Sequence, residues 1–145
     1  MKLFIVSLSN YLFYIKFKLM TKKSEIGKLG EDLACKYLLN KNFTIIERNF
    51  RKPWGEIDII AKDNNGTLVF VEVKTMQQYG NNAAIAALLP EDNLTKSKLK
   101  KLQRISYLYA NNNSGLLNDK HGWQIDLIAI ILNEAGTNIK HFENI

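Results

Sequence analysis

Two runs rich in β-branched residues, 55–61 and 68–74, place the strongest constraint on how this chain can fold. The segment between them ends in an Asn-Gly pair, which is typical of tight turns between antiparallel strands. The two runs therefore predict a β-hairpin. Acids interrupt its apolar pattern, because Asp58 lies inside the first run and Glu72 near the end of the second. A carboxylate in a protein core is unfavourable unless something compensates its charge, and a bound cation is a common compensation.

The side chains of a strand alternate between its two faces, so charged residues two positions apart in this hairpin lie on the same face. Glu72 and Lys74 share one side of their strand, and Glu56 shares a face with Asp58. Two carboxylates with open coordination positions suit a hard divalent cation such as Mg²⁺ or Mn²⁺. A lysine beside them can stabilise charge on a phosphate or position the attacking water. These parts suffice for metal-assisted hydrolysis of a phosphodiester.

Other chemistries lack their characteristic residues in this sequence. It contains no Gly-x-Gly-x-x-Gly motif, no Walker loop and no nucleophile elbow. A single cysteine, Cys35, excludes an internal disulfide and indicates a reducing compartment, with the cytoplasm as the expected location. Two carboxylates would also fit a glycosidase, but the lysine on the same face and the short chain disfavour that interpretation.

The length of 145 residues and a hydrophobic content of 46% predict one globular domain. The formal net charge of +6 is compatible with a nucleic acid or an anionic membrane as partner. Residues 1–19 differ from the rest, because a mostly apolar stretch at 3–15 is flanked by lysines. We interpret them as an extension arising from start-site choice, with Met20 as the start of a single domain at 20–145. A peripheral membrane anchor and a cleaved signal are the alternatives, and a membrane partner is not expected.

Two helices are predicted on either side of the hairpin, at residues 24–40 and 95–111. Ser24 is expected to cap the first, whose small residues Gly27, Gly30 and Ala34 would let it approach a sheet closely. Glu31 lies at the edge of this strip and is either a solvated or paired charge or a site residue. Further strands are predicted at 43–49, 123–131 and 139–145, and the long connection at 75–93 is expected to contain a short helix near 83–89.

Basic residues near the hairpin and on the second helix are candidate nucleic-acid contacts. Arg48 and Arg51 precede the hairpin, where they would bind phosphate or form a solvated turn. Lys96 and Lys98 begin the second helix, whose basic face is either an ordinary soluble exterior or a phosphate-binding surface.

Five motifs occur in order along the chain and carry a family resemblance. They are Gly27-Lys28-Leu29-Gly30-Glu31, Arg48-Asn49-Phe50-Arg51, Gly55-Glu56-Ile57-Asp58-Ile59-Ile60-Ala61, Val69-Phe70-Val71-Glu72-Val73-Lys74 and Tyr79-Gly80. Together they resemble the small YraN-like bacterial family, which is similar to archaeal Holliday-junction resolvases. Asp58 with Glu72-Val73-Lys74 also looks like the Asp…Glu-x-Lys signature of restriction-endonuclease-like nucleases. The match covers about residues 20–145.

The resemblance implies an α/β fold with the order helix-strand-strand-strand-helix-strand around a central mixed sheet. It implies that Asp58, Glu72 and Glu31 bind Mg²⁺ or Mn²⁺ and that Lys74 is the catalytic lysine. Glu56 would hold a metal-bound water, and the late polar pair Gln124 and Asp126 would be structural. In one departure from the family pattern, Met76 stands where an arginine often follows the Glu-Val-Lys run, so a phosphate contact is missing.

Three functions follow as hypotheses. The first is a metal-dependent DNA endonuclease, with branched DNA as a candidate substrate and a homodimer expected by analogy with junction resolvases. The second is a nucleic-acid-binding protein of the same fold without turnover. The third is a membrane-associated interaction protein that uses residues 3–15.

Overall fold

The computed structural model describes residues 22–78, 94–134 and 136–145, together with Leu12, Ile15 and Leu19. Within the ranges 22–78, 94–134 and 136–145, the structure has two α-helices and five strands. They follow in the order α1 (Lys23–Asn40), β1 (Thr44–Lys52), β2 (Gly55–Lys62), β3 (Leu68–Gln77), α2 (Lys96–Asn112), a 3₁₀ turn (Ser114–Leu116), β4 (Trp123–Asn133) and β5 (Gly136–Phe142). The predicted α/β class and the order of elements are confirmed. β3 and β4 extend further than predicted, to Gln77 and Asn133, whereas β5 begins and ends three residues before the predicted range 139–145.

The five strands form one mixed sheet in the order β1-β2-β3-β4-β5. β3 pairs with β4 in parallel, from Leu68 beside Trp123 to Gln77 beside Leu132, and the other neighbours are antiparallel. A parallel pair needs a crossover connection, and α2 lies in that connection. β3 is the middle strand of the sheet, and its burial decreases from the buried Leu68–Glu72 segment to the partly exposed residues at its end.

One helix covers each face of the sheet, so the hydrophobic core has two layers. On the α1 side, Ala34 and Leu38 pack against strand residues such as Ile59 and Ile128. On the α2 side, Ile105 and Tyr109 belong to the same cluster as Phe70 and other strand residues. Cys35 is buried in the first layer, as expected for a small packed side chain.

The predicted cap of α1 is wrong, whereas α2 has a cap that was not predicted. α1 begins at Lys23, so Ser24 lies inside its first turn and cannot cap it, and Lys22 at the N-cap position makes no side-chain cap hydrogen bond. The hydroxyl of Thr95 accepts a hydrogen bond of 3.2 Å from the backbone N–H of Lys98. This bond sets the start of α2 and places Lys98 in its first turn.

The turn of the β2–β3 hairpin is built around Asp63. Its Oδ1 accepts hydrogen bonds from the backbone N–H groups of Asn65 (2.9 Å) and Thr67 (2.8 Å). Gly66 adopts φ +88°, a left-handed conformation that glycine accepts without the strain other residues meet. The Asn-Gly turn prediction is confirmed.

α1 lies very close to the sheet at Gly30. A Cβ atom added there would lie 1.7 Å from Oγ1 and 2.8 Å from Cβ of Thr75, whereas one added at Gly27 would meet nothing within 4 Å. We therefore expect Gly30→Ala to lower the free energy of unfolding by about 1–3 kcal/mol, because the methyl group overpacks the helix–sheet contact. Gly27→Ala is the matched control and should raise stability by up to about 1 kcal/mol through helix propensity. Urea unfolding measures both, and equal effects of the two substitutions would contradict this account.

Some predictions fall outside the described residues. They include the short helix near 83–89, the Tyr79-Gly80 motif and most of the 1–19 segment, of which only the exposed Leu12, Ile15 and Leu19 are described. No helix formed by the described residues is both long and apolar enough to cross a membrane.

Candidate metal-binding site

The predicted hairpin opens at the acidic residues. Pairing between β2 and β3 runs from Lys62 beside Leu68 to Ile59 beside Val71 and ends there within these two described strands. One residue further along β2, the Oδ2 atom of Asp58 accepts a hydrogen bond of 2.7 Å from the backbone N–H of Val73. The carboxylate therefore satisfies a β3 amide that points toward β2 beyond the end of their ladder. A fork between the two strands results.

A cavity of about 640 Å³, the acidic cavity, lies at this fork, and every predicted catalytic residue lines it. Its charged lining residues are Lys23, Glu31, Glu56, Asp58, Glu72, Lys74 and Lys98. Glu31 belongs to α1 and Lys98 to α2. The remaining site residues belong to the hairpin, with Glu56 and Asp58 on β2 and Glu72 and Lys74 on β3. Three separate parts of the fold thus place four carboxylates and several ammonium groups around one space.

Glu72 is the most buried carboxylate of this cavity, with 3% of its surface exposed. Its Oε1 atom accepts a hydrogen bond from the ammonium group of Lys98, whose side chain is half-exposed. Burial lowers the pKa of Lys98, but the hydrogen bond and the charges of Glu72 and Asp58 outweigh burial and raise that pKa overall. Lys98 therefore stays protonated and compensates the charge of Glu72.

The sequence predicted Lys98 as a nucleic-acid contact and did not predict this ion pair. The two residues are 26 positions apart and are joined through α2, so their distance depends on how that helix crosses the sheet. The Thr95 cap is the one local signal that places Lys98 in the first turn of α2. It does not reveal which strand the turn faces.

The surroundings of Asp58 disfavour the charged form of its carboxylate. Burial and then the charge of Glu72 raise its pKa to about 7, with a smaller contribution from Glu31. The hydrogen bond from Val73 and the charge of Lys98 act in the opposite direction but do not cancel the shift. Such a carboxylate gains from a nearby cation more than a solvated one does, because the cation removes an unfavourable interaction.

The donor chemistry of this cavity fits a hard divalent cation, since carboxylate oxygens dominate it. However, no three or more Asp, Glu, His or Cys side chains among the described residues form a group arranged to hold a metal ion. All three candidate ligands already have partners, because Glu72 binds Lys98, Asp58 accepts a hydrogen bond from the Val73 amide and Glu31 lies 3.9 Å from Arg48. Binding of a metal would have to compete with the Lys98 ammonium, and the ligand roles of Glu31, Asp58 and Glu72 remain predictions.

The other predicted nucleic-acid contacts differ in their surroundings. Arg48 contacts Asp32 at 2.6 Å and lies 3.9 Å from Glu31, so Glu31 combines an ion pair with a place in the cavity. Arg51 lies 3.6 Å from Glu56 in an exposed pair. Lys96 is exposed and is not among the residues that line this cavity.

Lys74 and Met76 both line the cavity. Lys74 is exposed there. Met76 lines the same space, and its thioether offers no cationic donor for a phosphate. The departure from the family pattern therefore falls within the cavity.

Asp126 was expected to be structural, and the hydrogen bonds confirm it. Its fully buried carboxylate accepts hydrogen bonds from the side chain of Gln124 (2.8 Å) and the backbone N–H of Asn144 (2.9 Å), and lies 2.8 Å from Nε2 of His141. These bonds tie β4 to β5 and to the C-terminal residues. Asp126 does not line the acidic cavity.

Comparisons with known proteins place this chain among close relatives. The family model described as "Uncharacterised protein family UPF0102" matches residues 30–130. A UPF0102 protein from Lawsonia intracellularis is 38% identical over 128 residues, which cover 86% of each chain. One from Persephonella marina is 40% identical over 81% of this chain and 90% of its own, and one from Thermodesulfovibrio yellowstonii is 39% identical over 83% and 94%. The matched segment includes Glu31, all of the hairpin and Lys98.

Proposed function

We propose that this chain, which belongs to the protein family UPF0102, is a metal-dependent nuclease that hydrolyses phosphodiester bonds in DNA. Mg²⁺ or Mn²⁺ is the proposed cofactor, and Asp58, Glu72 and Glu31 are its proposed ligands. Branched DNA is the proposed substrate class, with a homodimer matching the paired strands of a junction.

One observation carries this proposal, namely that three carboxylates and Lys74 of the opened hairpin line one cavity together with Glu31 of α1. Acids that a protein keeps partly buried are unfavourable for stability, and Asp58 shows this through its raised pKa. Retained destabilising charges are typical of functional sites. Phosphodiester hydrolysis uses both a cation-binding carboxylate set and an adjacent lysine.

Each residue has a distinct proposed role. A divalent cation bound here would supply Lewis-acid activation of the phosphate and lower the pKa of an attacking water. Asp58 and Glu72 would hold that cation from two strands, while the Val73 amide orients the Asp58 carboxylate. Lys74 would stabilise the negative charge that develops on the phosphate oxygens. Glu56 would orient a water at the mouth of the cavity, where its exposed carboxylate lies.

The test is cleavage of flap, junction and linear DNA by the purified protein with Mg²⁺ or Mn²⁺. We expect Asp58→Ala and Lys74→Ala to lower the cleavage rate by about 100-fold or more, the scale of losing one transition-state contact. Asp119→Ala and Lys100→Ala remove exposed charges outside the cavity and serve as matched controls. Activity that persists equally in all four variants would reject the assignment.

The Lys98–Glu72 ion pair favours a second candidate, a DNA-binding protein without turnover. An ammonium group that neutralises Glu72 could make a metal unnecessary for folding. This candidate predicts salt-sensitive DNA binding that survives Asp58→Ala, with no cleavage under any metal. The same purified variants separate the two candidates.

A further inference from the structure

A second cleft, of about 700 Å³, adjoins the acidic cavity. Glu56, Glu72 and Lys98 line both spaces, so the cleft opens directly on the proposed catalytic carboxylates. Its remaining walls come from the β1–β2 turn and the first turns of α2. A polymer with one phosphate in the acidic cavity would therefore extend a neighbouring unit into this cleft.

Trp54 stands in the wall of the cleft with 50% of its surface exposed. It lies in the β1–β2 turn, directly after Pro53. Gly55, the first residue of β2, follows Trp54 and faces α2, since an added Cβ there would be in ordinary van der Waals contact, at 3.4 Å, with Cδ1 of Ile105. Nearby on β1, the ring of Phe50 packs against Tyr109 with centroids 4.9 Å apart. Residues on both sides of the exposed Trp54 thus lie against α2.

Single exposed aromatic residues are common on protein surfaces and need no function. Trp54 differs because of the charges that surround it in the same cleft. Cationic side chains outnumber acidic ones in its lining, which contains Arg51, Lys52, Lys98 and Lys101 beside Glu56 and Glu72. Arg51 and Lys98 are engaged with these two acids, and Lys101 is exposed on α2. An aromatic face between cations suits a ligand that has both a planar ring and a phosphate.

We propose that this cleft binds an unpaired nucleotide of the DNA substrate, with its base stacked on Trp54 and its phosphate near Lys101 and Arg51. The proposal rests on the proposed function for the identity of the polymer. A base inside a duplex has both faces covered by its neighbours, so the Trp54 face is available only to a base that has left the stack. The site therefore favours single-stranded ends, flaps or unpaired junction nucleotides over continuous duplex.

The test is binding of a fluorescein-labelled single-stranded oligonucleotide and of a blunt duplex of the same sequence, by fluorescence anisotropy in EDTA. We expect Trp54→Ala to weaken single-strand binding by about 10-fold to 100-fold, the scale of one base–aromatic stack, and to leave duplex binding unchanged. Trp54→Phe keeps an aromatic face and should stay within about 3-fold of the parent protein. Tyr107→Ala is the matched control, because Tyr107 is also exposed, at 55%, but does not line the cleft.

An equal loss on single strand and duplex, or no loss with Trp54→Ala, would overturn the proposal. A 2-aminopurine base in the single strand gives a second readout, since its fluorescence should fall on binding to the parent protein and should not fall on binding to Trp54→Ala. Binding in EDTA is independent of hydrolysis. Trp54-dependent binding without any metal-dependent cleavage would reject the nuclease function alone, whereas cleavage with no role for Trp54 would reject this cleft alone.

Discussion

In the absence of metal, Asp58→Asn should stabilise the folded protein by about 2–4 kcal/mol near pH 8, a large gain for one substitution. The reason is that burial and the charge of Glu72 raise the pKa of Asp58 to about 7, from an ordinary value of 3.8. At neutral and higher pH the folded state carries a charge that it disfavours. An asparagine removes that charge and keeps an oxygen that accepts the Val73 hydrogen bond.

The effect has a defined pH dependence. Below about pH 4 the Asp58 carboxyl is protonated in both the folded and unfolded states, so the parent and the variant should have similar stability. Between about pH 4 and pH 7 the folded state holds a proton that the unfolded state has released, and the parent protein loses stability as the pH rises. The advantage of Asp58→Asn should therefore grow over this interval and level off above it.

Urea unfolding in EDTA at several pH values measures this difference. Glu56→Gln is the matched control, because it neutralises an exposed carboxylate of the same cavity and should change stability by less than about 0.5 kcal/mol. A loss of stability in Asp58→Asn near pH 8 would contradict the raised pKa. Adding Mn²⁺ should stabilise the parent protein and not the variant if Asp58 is a ligand.

Lys98→Met should have the opposite effect on metal-free stability and should increase metal affinity. Removing the ammonium leaves the buried Glu72 carboxylate without its partner, beside Asp58. We expect a loss of about 1–3 kcal/mol, less than for a fully buried pair because Lys98 is half-exposed. The same change adds one net negative charge to the cavity and removes a competitor, so Mn²⁺ should bind about 10-fold tighter or more.

Titration calorimetry with Mn²⁺ gives the affinity, and urea unfolding with and without Mn²⁺ gives the stability. Lys100→Met is the matched control, since it removes an exposed lysine of the same helix that lines neither cavity. Unchanged or weaker Mn²⁺ binding by Lys98→Met would show that the ammonium does not compete with the cation. Restored stability of Lys98→Met in Mn²⁺ would show that the metal takes over its role.

Local sequence patterns determined the hairpin, both helices and the shared strand face of Glu56 and Asp58. These features depend on the period of a strand or helix and on turn residues such as the Asn-Gly pair, which act over a few positions. The strip around Gly30 also predicted a close helix–sheet contact, which the Thr75 side chain confirms. The predicted cap of α1 was wrong because several polar residues near the helix start could each take the N-cap position, and the sequence pattern does not select one of them.

The tertiary structure alone decided how the charges of the site meet. No local pattern indicates that β2 and β3 stop pairing at Ile59 and Val71, so that the Asp58 side chain takes the Val73 amide. Nor does any pattern bring Lys98 to Glu72 or Trp54 to the edge of the same space, because those distances depend on how α2 packs across the sheet. Sequence periodicity acts along one element, whereas the site is made by four elements, α1, β2, β3 and α2, which meet only in the folded chain.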